Sequence, residues 1–162
     1  MNIRNANPGD LDEILDIMNE AILHSTAIYD YDIKDKRFIE SWFEGKQSEG
    51  YPVLVYERDG CVVAYCSYGI FRPKIGYQFS AEHSVYVHKD FHGNGIGKQL
   101  LTALIVEARN QNYHTMIAGI DAENKASIVF HEKFGFTEVG RIKEVGYKFE
   151  KWLDVVFMQL ML

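Results

Sequence analysis

Glu82-His83-Ser84-Val85-Tyr86-Val87-His88-Lys89-Asp90-Phe91-His92-Gly93-Asn94-Gly95-Ile96-Gly97-Lys98 is the stretch whose reading decides the fold. Its first half reads as a strand: Val85, Tyr86 and Val87 are β-branched or aromatic, and Lys89-Asp90 break the run. Its second half is a turn with glycine at alternate positions, Gly93, Gly95 and Gly97. Leu100, Leu101, Leu104, Ile105 and Ala108 follow at helical spacing and predict an amphipathic helix over 95–111. A helix leaves its first N–H groups unpaired, and its dipole places partial positive charge there. Glycines let a ligand approach the backbone, and Lys98 adds a full charge, so the turn suits a phosphate-bearing ligand. The spacing is not that of a P-loop, since Gln99 follows Lys98, nor the G-x-G-x-x-G of a dinucleotide fold. A flexible loop ahead of a surface helix is the plain alternative.

Composition narrows the classes. The chain has 162 residues, 47% hydrophobic and 25% charged, which is expected to form one domain over 1–162. A net charge of −6 argues against a nucleic-acid partner. No apolar run approaches the ~18 residues of a membrane span, and Met1-Asn2-Ile3-Arg4-Asn5 carries no signal-peptide core, so the expected location is the cytoplasm. Cys61 and Cys66 form no C-x-x-C pair and are expected to be buried and reduced; an acyl-cysteine role is the alternative. His24, His83, His88, His92 and His114 show no ligand-type spacing, so no metal is expected.

Taken in order, residues 2–6 read as a strand. Asn7-Pro8 then opens a helix that ends near His24, with Leu11, Ile14, Leu15, Met18, Ala21 and Ile22 inward. Residues 25–34 read either as a plain loop or as a lid over a substrate pocket, with Tyr29 among its aromatics. A helix over 35–48 presents Phe38, Ile39, Trp42 and Phe43. Strands follow at 53–56, 61–71 and 77–87, the first two joined by an Arg58-Asp59-Gly60 hairpin turn. After the helix of 95–111 come a strand at 115–120, a helix opened by Asn124 and ended by Gly135-Phe136, and strands at 137–148 and 152–161. The strand–helix–strand unit around residue 100 is expected to be a right-handed parallel crossover. The class is α/β: a mixed sheet flanked by helices on both faces, in the order β-α-α-β-β-β-α-β-α-β-β.

His92-Gly93-Asn94-Gly95-Ile96-Gly97 resembles the acyl-CoA-binding motif of the GNAT N-acetyltransferase superfamily, Q/R-x-x-G-x-G/A, with histidine at the first position. Further blocks resemble the phosphinothricin and methionine sulfoximine N-acetyltransferase branch. They are Gly50-Tyr51-Pro52-Val53-Leu54-Val55, Glu82 to Val87, Ala118-Gly119-Ile120 and Asn124-x-Ala126-Ser127. Later blocks are His131 with Gly135-Phe136, Val145-Gly146-x-Lys148-Phe149, and Trp152-Leu153-Asp154 with Phe157-Met158-Gln159-Leu160.

The resemblance implies that fold, acetyl-CoA as co-substrate, a small-molecule amine acceptor and a homodimer. It implies that the loop of His92, Gly93, Asn94, Gly95, Ile96, Gly97 and Lys98 meets the pyrophosphate. The backbone of Val85, Tyr86 and Val87 would pair with the pantetheine arm as an added strand, and Asn124 and Ser127 would touch that arm. Asn124 also reads as a simple helix N-cap. Glu82 is the candidate general base, with an ordinary sheet-end carboxylate as the alternative. Burial would raise its pKa toward the working range. His131 is the candidate partner of the leaving thiolate, to protonate it or hydrogen-bond to it, and Tyr86 a weaker one; His131 also reads as a half-buried helix histidine. Arg72 would clamp a substrate carboxylate, unless it is a solvated loop residue. Relatives carry another arginine shortly before the glutamate, where this chain has Gln78. The implied reaction is direct acetyl transfer to the α-amine of methionine sulfoximine, methionine sulfone or phosphinothricin. The alternatives are a polyamine or protein N-terminus as acceptor, or a non-catalytic acyl-CoA-binding module.

Overall fold

Apolar alternation and helical periodicity along the chain resolve into seven strands and four helices in a computed structural model that describes residues 2–162. The strands are β1 (Ile3–Asn5), β2 (Val53–Arg58), β3 (Cys61–Ile70), β4 (Ser80–Val87), β5 (Thr115–Asp121), β6 (Thr137–Lys148) and β7 (Lys151–Met161). The helices are α1 (Leu11–His24), α2 (Lys36–Ser48), α3 (Ile96–Asn110) and α4 (Lys125–Glu132). One sheet of order β1-β2-β3-β4-β5-β7-β6 contains every strand. Only β4 and β5 pair in parallel, across the α3 crossover.

Two cores lie on opposite faces of this sheet. One gathers Leu11, Ile14, Ile17, Ile22, Ile39 and Phe43 of α1 and α2 against Val53, Val55 and Tyr65. The other gathers Leu100, Leu101 and Leu104 of α3 against Leu54, Cys66, Met116, Phe136 and Met158. Leu100, Leu101, Leu104 and Ala108 are fully buried, as their spacing predicts. Burying each such leucine contributes about 1.5–3 kcal/mol.

The feature that positions a site is a split. Ser80, Ala81 and Glu82 pair with Thr115, Met116 and Ile117, and there the β4–β5 ladder stops. Beyond it β5 stays paired with β7 as far as Asp121↔Val155, while β4 stays paired with β3 as far as Ala64↔Val87. The sheet therefore opens into a wedge between Val85–Val87 on one side and Ala118–Asp121 on the other.

Several boundaries differ from the sequence expectation, each for a local reason. Asn7 caps a separate 3-10 turn, Pro8–Asp10, through a capping box with Asp10, and α1 begins only at Leu11. Tyr77, expected to start a strand, instead closes a 3-10 turn over Ile75–Tyr77, and residues 72–79 are exposed, so β4 begins at Ser80. Phe38, expected inward, is 40% exposed and lies beneath the Lys34 ammonium, 5.1 Å from its ring centroid. Cys61, expected in the core, is exposed: it opens β3 directly after the Asp59-Gly60 turn, where the strand has not yet entered the sheet interior. Cys66 is buried as expected.

Candidate active site

A cavity of about 1050 Å3 fills the wedge. Its wall includes Glu82, Val85, Tyr86 and Val87 of β4, Gly119 and Asp121 of β5, and Asn124, Ser127 and His131 at α4. The glycine loop contributes His92, Gly93, Gly95, Ile96, Gly97 and Lys98. Thr26, Ala27 and Tyr29, from the segment between α1 and α2, close another side.

Glu82 is the last β4 residue held by both neighbours. Gly69 faces it on β3, and Ile117 faces it on β5. Its Oε1 reaches over Gly119, 3.2 Å from where a Cβ there would stand, so Gly119 leaves the space that the carboxylate uses. Burial pushes the Glu82 carboxyl above its ordinary range, and the charge of Arg72 pulls it partly back. Arg72 itself is exposed, outside the cavity wall, with its guanidinium stacked on the Phe71 ring at 4.3 Å and Nη1 donating to the Phe71 carbonyl. Gln78 lies in the same exposed loop.

Alternation sends Glu82 and Tyr86 to the α1–α2 face and His83 to the α3 face. Tyr86 packs on Tyr65 at 5.2 Å, and burial raises its hydroxyl to about 12. His83 stacks against His131 at 5.2 Å and Phe136 at 5.5 Å. His131 and Glu82 thus approach the cavity from opposite faces of the sheet. Both line the same cavity.

The tautomer of His131 follows from its partner. Nδ1 lies 2.7 Å from the Ser127 carbonyl, which only accepts, so Nδ1 carries the proton. Nε2 is buried, has no partner and presents a lone pair. Burial lowers the His131 pKa, against the opposing Ser127 bond, so the ring is neutral at pH 7. In that state Nε2 accepts a proton or a hydrogen bond and has none to give.

The glycine loop is open where a phosphate would need it open. Gly93 and Gly95 have φ of 78° and 73°, the left-handed region that favours glycine, and a Cβ at either would meet nothing within 4 Å. Gly95 stands at the N-cap of α3, and Ile96, Gly97 and Lys98 of the first turn line the cavity. Gly97 is tighter: a Cβ there would lie 3.7 Å from both Phe130 and Val87. Asn94 turns its amide back onto the Phe91 and His92 carbonyls and is not in the cavity wall. His92 holds the loop down, with Nε2 at 2.7 Å from the Val87 carbonyl. That contact gives the departure from glutamine or arginine a structural role that its position in the motif did not disclose. Asn124 caps α4, accepting from the Ser127 amide at 3.0 Å. Among the described residues, no group of three or more His, Cys, Asp or Glu side chains gathers to hold a metal. Among those residues, too, no helix is long and apolar enough to cross a membrane.

Two lysines were given no role in the sequence reading. Lys46 of α2 lines the cavity and donates to the Tyr68 carbonyl at 2.8 Å, between the rings of Tyr51 and Trp42. Lys148 is 3% exposed and donates to three carbonyls of the α1–α2 region. Neither has a sequence signal, because its partners are backbone atoms distant along the chain.

The wedge, the open glycine loop and the helix behind it match a known design. Residues 3–157 match the acetyltransferase (GNAT) domain. The chain belongs to the GNAT acetyltransferase family. It is 45% identical over 162 residues to the L-methionine sulfoximine/L-methionine sulfone acetyltransferase of Salmonella typhimurium, covering 100% of this chain and 95% of that one. Among solved structures, a ribosomal-protein-alanine N-acetyltransferase from Brucella melitensis superposes with a TM-score of 0.99 at 47% identity, each chain covered in full. The yncA protein of Salmonella typhimurium, solved with its cofactor acetyl-CoA, superposes with a TM-score of 0.96 at 45% identity, covering 99% of this chain and 92% of that one. As a GNAT acetyltransferase, this protein is an acetyl-CoA-dependent enzyme.

Proposed function

We propose that this GNAT enzyme moves acetyl from acetyl-CoA to the α-amine of a small amino-acid-like acceptor, in the cytoplasm, by direct transfer in a ternary complex. Methionine sulfoximine, methionine sulfone and phosphinothricin are the acceptors that the resemblance favours. The observation that carries the reading is the Glu82 carboxyl. It is half-buried in the cavity, raised in pKa by that burial, and close enough to Arg72 to feel its charge. A base beside a cation suits a substrate that brings an ammonium and a carboxylate together.

In this mechanism Glu82 takes one proton from the substrate ammonium, directly or through water. The freed amine forms the C–N bond at the thioester carbonyl carbon, and collapse breaks the C–S bond. The second proton on nitrogen must leave as the thiolate gains one. A neutral His131 can receive a proton first and return it to sulfur afterwards; it cannot open the sequence as a donor. Tyr86, with its hydroxyl at about 12, keeps its proton at neutral pH and is the alternative donor. The loop of residues 92–98 and the free β4 edge at Val85–Val87 would hold the coenzyme, with Asn124 and Ser127 beside its arm. Tyr29 and Arg72 would meet the acceptor.

A second reading comes from the name of the Brucella melitensis structure: a protein N-terminal alanine as acceptor. A homodimer is part of the proposal, supported by the edge strand β6, where Val139, Ile142 and Val145 are exposed. The test is free-thiol release from acetyl-CoA with methionine sulfoximine, methionine sulfone, phosphinothricin, spermidine and an alanine-initiated peptide. Turnover confined to the first three supports the reading. Turnover confined to the peptide or spermidine overturns the acceptor, and silence on all five overturns the acceptor class.

A further inference from the structure

Lys148 stands at the end of β6, on the far half of the split sheet, yet its ammonium lies against the other half. Nζ donates to the carbonyls of Ile22 at 2.6 Å, Ser25 at 2.8 Å and Ile28 at 2.5 Å. An ammonium has three N–H donors, and all of them are used. Ile22 belongs to the last turn of α1, where the helix leaves carbonyls without partners. α1 packs on β3 and β4, so this one side chain joins elements from the two sides of the wedge.

The same segment is fastened at three more points, all on the far half. Thr26 Oγ1 donates to Asp121 at the end of β5, and the Tyr31 hydroxyl donates to the Tyr147 carbonyl. The Tyr29 ring lies where a Cβ at Gly146 would stand, so only glycine at 146 admits it. Thr26, Ala27 and Tyr29 are the residues by which this segment lines the cavity. The hydroxyl of Tyr29 is buried there without a hydrogen-bond partner. Nothing in the segment's own sequence makes it regular. Its fastenings lie on β5 and β6.

We propose that Lys148 is a positioning residue for the acceptor site: it straps residues 22–31 across the wedge and sets Tyr29 against Gly146. The inference rests on the reading that the acceptor binds in this cavity beside Glu82. Among the described residues no hydrogen bond or ion pair joins the strap to residues 92–98, so coenzyme binding is expected to be independent of it.

The experiment compares wild type with Lys148→Met, which keeps the stem and removes the ammonium. Gly146→Ala displaces Tyr29 while leaving Lys148 intact, and serves if Lys148→Met does not fold. Each variant is expected to raise the KM for methionine sulfone at least tenfold, with the KM and calorimetric Kd for acetyl-CoA within twofold of wild type. Amide hydrogen exchange should quicken across residues 22–31 and stay unchanged across 92–98. An acceptor KM within twofold of wild type, or an acetyl-CoA Kd that rises in step with it, overturns the proposal. If wild type itself is silent on methionine sulfone, the acceptor assignment falls. The exchange data then decide the strap alone: unchanged protection in 22–31 sinks it.

Discussion

Glu82 occupies a position that few carboxylates could share. Its neighbours across both ladders are Gly69 and Ile117, and Gly119 leaves the gap over which its Oε1 lies. Burial there raises the carboxyl pKa, which is what a base for an ammonium needs, since an unperturbed carboxylate holds protons too weakly. Glu82→Gln should therefore lower kcat by roughly 100-fold or more, the usual worth of a positioned base, with the acetyl-CoA KM unchanged; steady-state kinetics against both substrates checks this. The pH profile follows with a defined sign. If Glu82 is the base proposed above, activity needs its carboxylate, and kcat/KM for the acceptor rises with pH through the Glu82 pKa, at a midpoint above the ordinary glutamate value. Arg72 lowers that pKa, so Arg72→Met should move the acidic limb to higher pH. A limb that stays in place would disconnect Arg72 from the base. Arg72 is exposed, so screening by salt should shrink the displacement.

At the scale of the element, the glycine loop and α3 work as a unit. The loop's two left-handed glycines lead into α3 with its first turn lining the cavity, and His92 ties the loop to β4 through the Val87 carbonyl. His92→Ala removes that bond, worth about 1 kcal/mol, and should raise the acetyl-CoA KM roughly fivefold while sparing the acceptor KM. The β6–β7 hairpin makes the opposite choice. Its two-residue turn, Phe149-Glu150, has φ of 51° and 59°, left-handed values at two residues that are not glycine. Glu150→Gly should relieve that strain and raise the unfolding free energy by about 1 kcal/mol in urea titration. Sequence reading placed both turns, since strands at 137–148 and 152–161 leave the hairpin turn between them. α3 was legible because its period and its glycines are local signals. The Arg58-Asp59-Gly60 turn was legible for the same reason. The start of β4 was not, because Tyr77 and Phe79 have strand character but stay exposed without a partner strand. Glu82, His131 and the loop were singled out through motif resemblance, and they line one cavity. Lys148 was quoted within a motif block yet given no role, since its meaning lies in three carbonyls more than a hundred residues away.

For the whole molecule, the split that makes the site also buries an imidazole pair beneath it. His83 and His131 stack at 5.2 Å, and neither ring nitrogen of His83 has a hydrogen-bond partner. Burial, and then the nearness of His131, lowers the His83 pKa to about 3; burial lowers that of His131 as well. In the unfolded chain both rings protonate near the ordinary value of about 6.5. Above that pH neither state carries the extra protons, and stability is unaffected by the pair. As the pH falls below it, the unfolded state binds protons that the folded state refuses, so stability is lost. The slope approaches about 1.4 kcal/mol per pH unit for each ring that stays neutral in the fold. For His83 the loss continues down to about pH 3. Asp10, whose pKa is lowered chiefly by its bonds to Arg4, adds a loss of the same sign, but only below the ordinary carboxyl range. Glu82 works against both, because a raised carboxyl pKa favours the fold as it protonates. Between pH 6.5 and 5 the two histidines act with the same sign. Urea midpoints should fall steadily across that interval, and His83→Leu should flatten the fall. A variant that keeps the full wild-type slope would place the acid lability elsewhere in the molecule.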